Sequence, residues 1–143
     1  MEVTFRFGKS SSEKLATCDI RLQRIMQRAL SFGIMDFSII EGYRSIEEQQ
    51  DKFKQGLSEI DGISKKGKHN YSPSLAVDIM PYPTGINGVD VWKDKQRFCV
   101  LAGIVLSSAK LEGVKIRWGG DWDGDGNNAD SNFSDLPHFE ILD

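Results

Sequence analysis

Two histidines, the only ones among 143 residues, each have an aspartate nearby in the sequence. His69 precedes Asp78, and His138 follows Asp135 by three positions. Imidazole nitrogen and carboxylate oxygen are both ligands of zinc, and a catalytic zinc takes three protein ligands and leaves one position for water. The two histidines and Asp78 supply that number and leave Asp135 to move protons. The pattern therefore indicates a zinc hydrolase.

Asp78 is the most informative of these residues because it is a lone carboxylate within the apolar run 75–80. Burying a carboxylate without a partner is costly, and a bound cation would neutralise it. The alternative is that Asp78 ends a strand and caps the turn before Pro81. Each histidine alone is ambiguous as well, since loop and strand-start histidines are often only solvated. The three residues together favour a metal site.

Two further carboxylates flank His138. Asp135 stands three residues earlier, and Pro137 stiffens the link between them. A carboxylate in that place can take a proton from the attacking water and give it to the leaving amine, although Asp135 could also only cap a turn. Glu140 follows His138 by two residues, a spacing that puts both side chains on one face of a strand. Glu140 is therefore a candidate partner that orients His138, or an alternative base.

Arg44 lies between a predicted strand and a predicted helix cap. A guanidinium there could bind a substrate carboxylate or stabilise the oxyanion of a tetrahedral intermediate. It could instead form a surface ion pair with Glu47 or Glu48. The spacing alone favours the ion pair.

A second group of acidic residues matches the beginning of a calcium loop, D-x-D-x-D-G. The possible ligands are Asp121, Asp123, Asp125, Asn127 and Asp130. The twelfth position, where a bidentate glutamate is expected, is Asn132, so Asp130 serves only if the loop departs from the standard geometry. The pattern fits either a Ca²⁺ site or a solvated acidic loop. A cation here would order the segment that carries Asp135 and His138, and activity would then depend on calcium.

The composition is that of an ordinary soluble protein, with 39% hydrophobic and 27% charged residues. The length favours one domain over residues 1–143, and the net charge of −3 gives no reason to expect nucleic acid as a partner. We find no apolar run of signal-peptide length and no transmembrane candidate, and so expect no membrane insertion. Cys18 and Cys99 lie in apolar, helix-like patterns that are more typical of buried thiols than of ligands or a disulfide.

The elements that must position these residues follow from periodicity, caps and turn signals. Helices are predicted over 10–33, 45–56 and 91–112, with Asp19 as a second cap candidate in the first. Strands are predicted over 37–43, 75–80, 114–118 and 139–142. His69 falls in a loop over 57–74, and the acidic residues fall in a polar loop over 119–135. Three helices and about four short strands without regular βα alternation indicate an α+β domain with a small sheet.

Four segments, in this order, resemble the VanY-like zinc D,D-peptidases. The first two resemble the G-Y-R-S…Q and S-x-H…A-x-D motifs of that family. The last two are similar to the closing segment of its bacteriophage endolysin branch, the L-alanyl-D-glutamate peptidases. The segments are Gly42-Tyr43-Arg44-Ser45 with Gln49-Gln50, Lys68-His69 with Ala76-Val77-Asp78, Trp118-Gly119-Gly120-Asp121-Trp122, and Asp135-Leu136-Pro137-His138-Phe139-Glu140. The resemblance covers residues 22–142, nearly the whole chain.

The resemblance implies a role for each candidate residue. It makes His69, Asp78 and His138 the zinc ligands. It makes Asp135 the general base and acid, and Arg44 the residue that polarises the scissile carbonyl or orients the substrate. It also implies the small α+β fold shared by these peptidases and the Hedgehog signalling domain, with zinc on an antiparallel sheet. The implied substrate is the stem peptide of bacterial peptidoglycan, cut between L-alanine and D-glutamate.

Three departures from the family pattern bear on which bond is cut. Gly67 stands where the family has serine, Glu41 stands where a small residue is common, and the interval from His69 to Asp78 is longer than in the shorter family form. A D-alanyl-D-alanine carboxypeptidase or dipeptidase on the same scaffold is therefore an alternative. A non-catalytic zinc- or calcium-binding module, as occurs on this fold in signalling proteins, is a second alternative, which Asp135 disfavours.

A phage origin implies synthesis in the host cytoplasm and action on the cell wall. With no signal peptide, we expect the protein to reach the wall through a lesion made by a holin. We expect a monomer with one peptidase domain and no separate wall-binding domain.

Overall fold

The computed structural model describes residues 4–58, 60–62, 66–126 and 135–142. Within them the chain forms four α-helices, an antiparallel sheet of order β1-β2-β6-β5 and a separate two-stranded hairpin. The helices are α1 (Lys9–Leu15), α2 (Ile20–Ser31), α3 (Ile46–Lys54) and α4 (Lys95–Glu112). The strands are β1 (Asp36–Glu41), β2 (Ala76–Tyr82), β3 (Gly85–Ile86), β4 (Val89–Asp90), β5 (Ile116–Trp118) and β6 (His138–Ile141). The predicted α+β class is confirmed, and no helix in these ranges is long and apolar enough to cross a membrane.

The N-terminal helical region forms two helices, whereas the sequence pattern predicted one. Asp19 caps α2 by accepting a hydrogen bond from the Arg21 amide at 2.9 Å, as its type suggested. The chain leaves helical geometry before that cap because the backbone of residues 17–19 pairs with Ser74. The Ser74 amide donates to the Thr17 carbonyl at 2.9 Å, and the Asp19 amide donates to the Ser74 carbonyl at 2.8 Å. A contact between such distant parts of the chain leaves no local sequence signal.

The two central strands divide their side chains between an apolar core and a polar face, because successive side chains on a strand point to opposite sides. The core side chains of β2 and β6 are Val77, Ile79, Phe139 and Ile141, which pack with α1, α2 and α4. Asp78, His138 and Glu140 alternate with them and are buried too. The same alternation that builds the core therefore collects the polar residues on one face of the sheet.

The last helix begins later than predicted. Val91–Lys93 form a 3₁₀ turn, and α4 starts after Asp94, whose side chain accepts from the Arg97 amide at 3.4 Å. α4 ends where predicted, and Gly113 follows in the left-handed conformation, with φ of 71°, that closes many helices. The turn-rich connection before α4 contains the β3–β4 hairpin.

The third helix, α3, begins at the predicted capping box. The Glu48 amide donates to Ser45 Oγ at 3.1 Å, and the Ser45 amide donates to Glu48 Oε1 at 3.4 Å. This cap fixes the chain where it leaves β1. Arg44, the residue before the cap, is positioned by it.

Candidate metal centre

Three side chains that are distant in the sequence meet on the polar face of the sheet. Asp78 of β2 is directly opposite His138 of β6, so their side chains leave the sheet side by side. His69 comes from a 3₁₀ turn, Lys68–Asn70, in a loop predicted to have no regular structure. The Arg44 amide donates to the His69 carbonyl at 2.8 Å and so ties this turn to the end of β1.

Each histidine has one ring nitrogen engaged away from the cluster and the other aimed into it. His69 Nδ1 is 2.6 Å from the Gly42 carbonyl oxygen, and His138 Nε2 is 2.8 Å from Glu140 Oε1. A carbonyl and a carboxylate only accept hydrogen bonds, so both of these nitrogens carry the hydrogen. In the neutral form of each ring, His69 Nε2 and His138 Nδ1 are then the nitrogens that present lone pairs, and each lies 3.1 Å from Asp78 Oδ1. Two ring nitrogens directed at one carboxylate oxygen need a positive charge at that place, either protons on the rings or a metal ion.

The cluster fits a metal by the chemistry and spacing of its donor atoms. One ligand atom from each of His69, Asp78 and His138 lies within 4.8 Å of the others. Zinc bonds of about 2.0–2.1 Å in a tetrahedron place neighbouring ligand atoms about 3.3 Å apart. The 3.1 Å separations are close to that value. Two neutral imidazoles and one carboxylate form an open three-ligand set of the catalytic kind.

The electric field of the site favours a positive charge among these residues. Burial alone would raise the pKa of Asp78, but the facing His69 and His138 outweigh it and hold that pKa well below its usual range. Burial alone would lower the pKa of His138, yet its hydrogen bonds to Asp78 and Glu140 raise it to about 10. A buried site that attracts a proton this strongly is also one that attracts a divalent cation.

Asp135 lies at the edge of this cluster and is more exposed than His69, Asp78 and His138. Its Oδ2 is 3.9 Å from His138 Nδ1, and its side chain is 34% exposed. Its burial, followed by the charge of Asp78, raises its pKa above that of an ordinary carboxyl. Gly119 holds the segment in place, since the Asp135 amide donates to the Gly119 carbonyl at 2.9 Å and the Gly119 amide donates to the His138 carbonyl at 2.8 Å. A carboxylate with a raised pKa beside the ligands suits proton transfer.

Comparison with known proteins identifies the family of this chain. The family model of the phage L-alanyl-D-glutamate peptidases matches residues 3–142. The chain belongs to this family. Its members are peptidases, and the predicted relationship to the VanY-like phage endolysins is confirmed.

Relatives of this peptidase come from phage and from bacteria. The L-alanyl-D-glutamate peptidase of Escherichia phage T5 is 34% identical over 128 residues, which cover 90% of this chain and 89% of the relative. The peptidoglycan L-alanyl-D-glutamate endopeptidase CwlK of Bacillus subtilis (strain 168) is 28% identical over 76% of this chain and 62% of its own length. The crystal structure of the Serratia marcescens L-Ala D-Glu endopeptidase ChiX superimposes with a TM-score of 0.74 at 28% identity, covering 96% of this chain and 90% of that one.

Glu140 links His138 of this peptidase to an arginine on the neighbouring strand. Its Oε1 accepts from His138, while Arg117 Nε donates to its Oε2 at 3.2 Å and a terminal nitrogen of Arg117 forms an ion pair with the same oxygen at 3.2 Å. Burial raises the pKa of Glu140, but His138 and Arg117 outweigh it and lower that pKa. The Arg117 guanidinium lies 5.2 Å from the centre of the Trp122 ring, which is itself 5.5 Å from the His138 ring. Arg117 and Trp122 were not recognised from the sequence as site residues.

Arg44 reaches the same site, but its partners differ from those that spacing favoured. Its Nε and one terminal nitrogen donate to the two oxygens of Glu41 at 2.7 Å, and the other terminal nitrogen donates to Gln49 Oε1 at 2.8 Å. The ion pair with Glu47 or Glu48 that spacing alone favoured is wrong: Arg44 pairs with Glu41, and Glu48 serves the α3 cap. Arg44 also approaches Asp78 Oδ2 to 3.8 Å. Burial would lower the pKa of Arg44, but Glu41 raises it.

Three residues that support the site were not assigned roles from the sequence. Gly42 supplies the carbonyl that fixes His69, and a Cβ there would overlap the side chain of Thr17. Gln49 is fully buried and holds Arg44, and the Asn70 side chain donates to the Arg44 carbonyl at 2.9 Å. Gly42 and Gln49 stood in a segment that resembled the family. Their roles depend on tertiary contacts that the segment does not encode locally.

The acidic loop brings three of its five predicted calcium ligands together. One carboxylate oxygen from each of Asp121, Asp123 and Asp125 lies within 4.8 Å of the others. Burial, with hydrogen bonds to its neighbours Asp123 and Asp125, raises the pKa of Asp121. Asn127 and Asp130 lie outside the described residues. The described residues therefore include three of the five predicted ligands, and exposed acidic groups such as these are common without a bound ion.

Proposed function

We propose that this chain is a zinc peptidase that cuts peptidoglycan stem peptides between L-alanine and D-glutamate. The observation that carries the proposal is the convergence of His69 Nε2 and His138 Nδ1 on Asp78 Oδ1, with the other ring nitrogens held by fixed acceptors. Membership of a peptidase family, and relatives named for the L-alanyl-D-glutamate bond, support the substrate.

His69, Asp78 and His138 would hold the zinc ion. When bound, zinc supplies Lewis acidity that polarises a carbonyl and lowers the pKa of water. Asp135 takes the proton of the attacking water. The water oxygen adds to the scissile carbonyl carbon and forms the tetrahedral intermediate. Asp135 then gives that proton to the nitrogen of D-glutamate as the carbon–nitrogen bond breaks, and the free amine leaves.

Asp135 suits this role better than Glu140, the alternative base. Glu140 has an 8% exposed side chain, and both of its oxygens are engaged by His138 and Arg117. Asp135 is 34% exposed, so it can meet the substrate, and its burial raises its pKa above that of an ordinary carboxyl, which suits a group that both takes and gives a proton. Glu140 instead orients His138, as carboxylate partners of metal-binding histidines do.

Arg44 adds positive charge beside Asp78 and helps to stabilise the oxyanion through space. Its contacts with Glu41 and Gln49 favour a second task, which is to hold Asp78 and the His69 turn together. An Arg44→Lys variant keeps the charge but loses the paired hydrogen bonds. We expect it to lose most of its activity while it still folds.

Digestion of purified peptidoglycan tests the proposal. The zinc-loaded protein should release fragments whose masses show a free amine on D-glutamate, and EDTA should stop their release. An Asp135→Asn variant should bind zinc and release these fragments about 10²–10⁴-fold more slowly. Release of terminal D-alanine would instead support the carboxypeptidase alternative, and zinc binding without any cleavage would support a non-catalytic module.

The calcium hypothesis remains a prediction with its own test. Calcium at Asp121, Asp123 and Asp125 would order the segment before Asp135. Adding calcium to the zinc-loaded protein should then raise its rate or its melting temperature, and EGTA should reverse the change. We further propose a monomer made in the host cytoplasm that acts on the wall after holin action. Sedimentation and wall digestion with and without holin expression test these two points.

A further inference from the structure

We propose that Arg117 binds the free carboxylate of the substrate residue on the amine side of the scissile bond, and so selects an acidic residue there. The inference rests on the proposed function. A glutamyl residue has two carboxyl groups, and a stem peptide continues through only one of them. The other remains a carboxylate a few bonds from the scissile nitrogen. A guanidinium near the metal cluster would bind that carboxylate favourably.

The two arginines of the site differ in how much of their binding capacity is already used. Arg44 has a 10% exposed side chain, and both oxygens of Glu41 and the side chain of Gln49 occupy its guanidinium at 2.7–2.8 Å. A substrate carboxylate would have to displace Glu41 to reach it. Arg44 is therefore poorly placed to receive an anion.

Arg117 has capacity left. Its side chain is 40% exposed, and its described hydrogen bond from Nε and its ion-pair contact through a terminal nitrogen go to a single oxygen, Glu140 Oε2, both at the longer distance of 3.2 Å. The other oxygen of Glu140 is held more tightly by His138, at 2.8 Å. Glu140 thus anchors Arg117 from one side without enclosing it. A planar guanidinium can then take a second carboxylate on its remaining edge.

Arg117 also lies on the correct face of the sheet. It is opposite Glu140 in the β5–β6 pairing, and Glu140 shares a face of β6 with His138. The Trp122 ring lies against the guanidinium and against the His138 ring, so it forms a continuous surface between the two. A substrate whose scissile carbonyl is at the metal cluster can extend its amine-side residue over Trp122 towards Arg117.

The carboxylates around the cluster make such a contact favourable. Asp78, Asp135 and Glu140 surround His138, and Glu41 lies opposite Asp78 on β1. These carboxylates repel an anionic substrate at short range. Arg117 is the exposed guanidinium that the described part of the site offers against that repulsion.

Two matched substrates and one substitution test the inference. The first substrate is an N-acetyl-L-alanyl-D-glutamyl peptide in which the glutamyl carboxylate that does not continue the chain is free. The second substrate carries an amide in place of that carboxylate. The zinc-loaded wild-type protein should cleave the acid with a kcat/KM at least about tenfold above that for the amide, since hydrogen bonds to charged groups are strong. An Arg117→Gln variant should cleave both substrates with kcat/KM values within about twofold of each other.

The ratio of kcat/KM for the acid to kcat/KM for the amide distinguishes a direct contact between Arg117 and the substrate from an indirect effect on the structure of the site. A variant that only loosens Glu140 and His138 lowers both rates by one factor and keeps the preference for the acid, which would overturn the inference. A wild-type protein without that preference would overturn it as well. Arg28→Gln is the matched control, because Arg28 is 42% exposed and pairs with Glu112 away from the site. It should keep the wild-type ratio, and Arg117→Lys should keep part of it. If the wild type cleaves neither peptide, the proposed function itself fails.

Discussion

Replacing Glu140 with alanine is expected to weaken zinc binding without removing a metal ligand. Glu140 is buried and accepts from His138 Nε2 at 2.8 Å, and this bond keeps the hydrogen on Nε2 and the lone pair on Nδ1. Without it, the ring of His138 can take the other tautomer or turn. Each change reduces the fraction of protein that presents three ligands.

The size of the effect follows from what the substitution leaves behind. Losing a partner of a metal-binding histidine typically lowers metal affinity by about 10–100-fold, or about 1.4–2.7 kcal/mol. Glu140→Ala also leaves the Arg117 guanidinium without its carboxylate, and an uncompensated positive charge near the site opposes a second cation. We therefore expect a loss near 100-fold, at the upper end of that range. Glu140→Gln keeps an acceptor but loses the charge, and should lose about tenfold.

Competition with a chromogenic chelator measures these affinities on the metal-free protein, with circular dichroism as the check on folding. Glu112→Ala is the matched control, since it removes the carboxylate of another arginine pair, with Arg28, far from the cluster. Its zinc affinity should equal that of the wild type. A Glu140→Ala protein that folds and binds zinc as tightly as Glu112→Ala would refute the assignment of Glu140 as the residue that orients His138.

Three further predictions concern catalysis, packing and thiol chemistry. Asp135→Asn should lower kcat by about 10²–10⁴-fold with unchanged zinc content, and near-normal steady-state rates would exclude Asp135 as the proton carrier. Gly42→Ala should lower the free energy of unfolding by about 1–3 kcal/mol in urea, because its Cβ would overlap the side chain of Thr17; an unchanged midpoint would contradict this contact. Burial raises the pKa of Cys18 to about 12, so a thiol reagent at pH 8 should modify Cys99 and leave Cys18 intact in the native protein, whereas two fast thiols would show that Cys18 is accessible.

The ligand candidates could be found from sequence because their residue types are rare or out of place. The chain has only two histidines, and Asp78 interrupts an apolar strand. The strand alternation that placed Glu140 beside His138 is also a local property. These features predicted the α+β class and put His138 and Glu140 on one face of a strand before any tertiary contact was known.

Other features of the site depend on contacts between distant segments. The pairing of Arg44 with Glu41 follows from the end of β1, where the register places Glu41 opposite Asp78. The nitrogen that each histidine turns inward depends on the Gly42 carbonyl and on Glu140. Spacing along the chain favoured Glu47 and Glu48 as the partners of Arg44. Spacing does not show which glutamate the strand register brings next to Arg44, and that glutamate is Glu41.

The central claim is that His69, Asp78 and His138 hold zinc through His69 Nε2 and His138 Nδ1. Diffraction from crystals of the zinc-loaded protein, recorded above and below the zinc absorption edge, tests it most directly. We predict an anomalous peak about 2.0–2.2 Å from those two nitrogens and from a carboxylate oxygen of Asp78. A zinc ion bound by His69 Nδ1 and His138 Nε2 instead would contradict the claim. An anomalous peak found only at the acidic loop would contradict it as well.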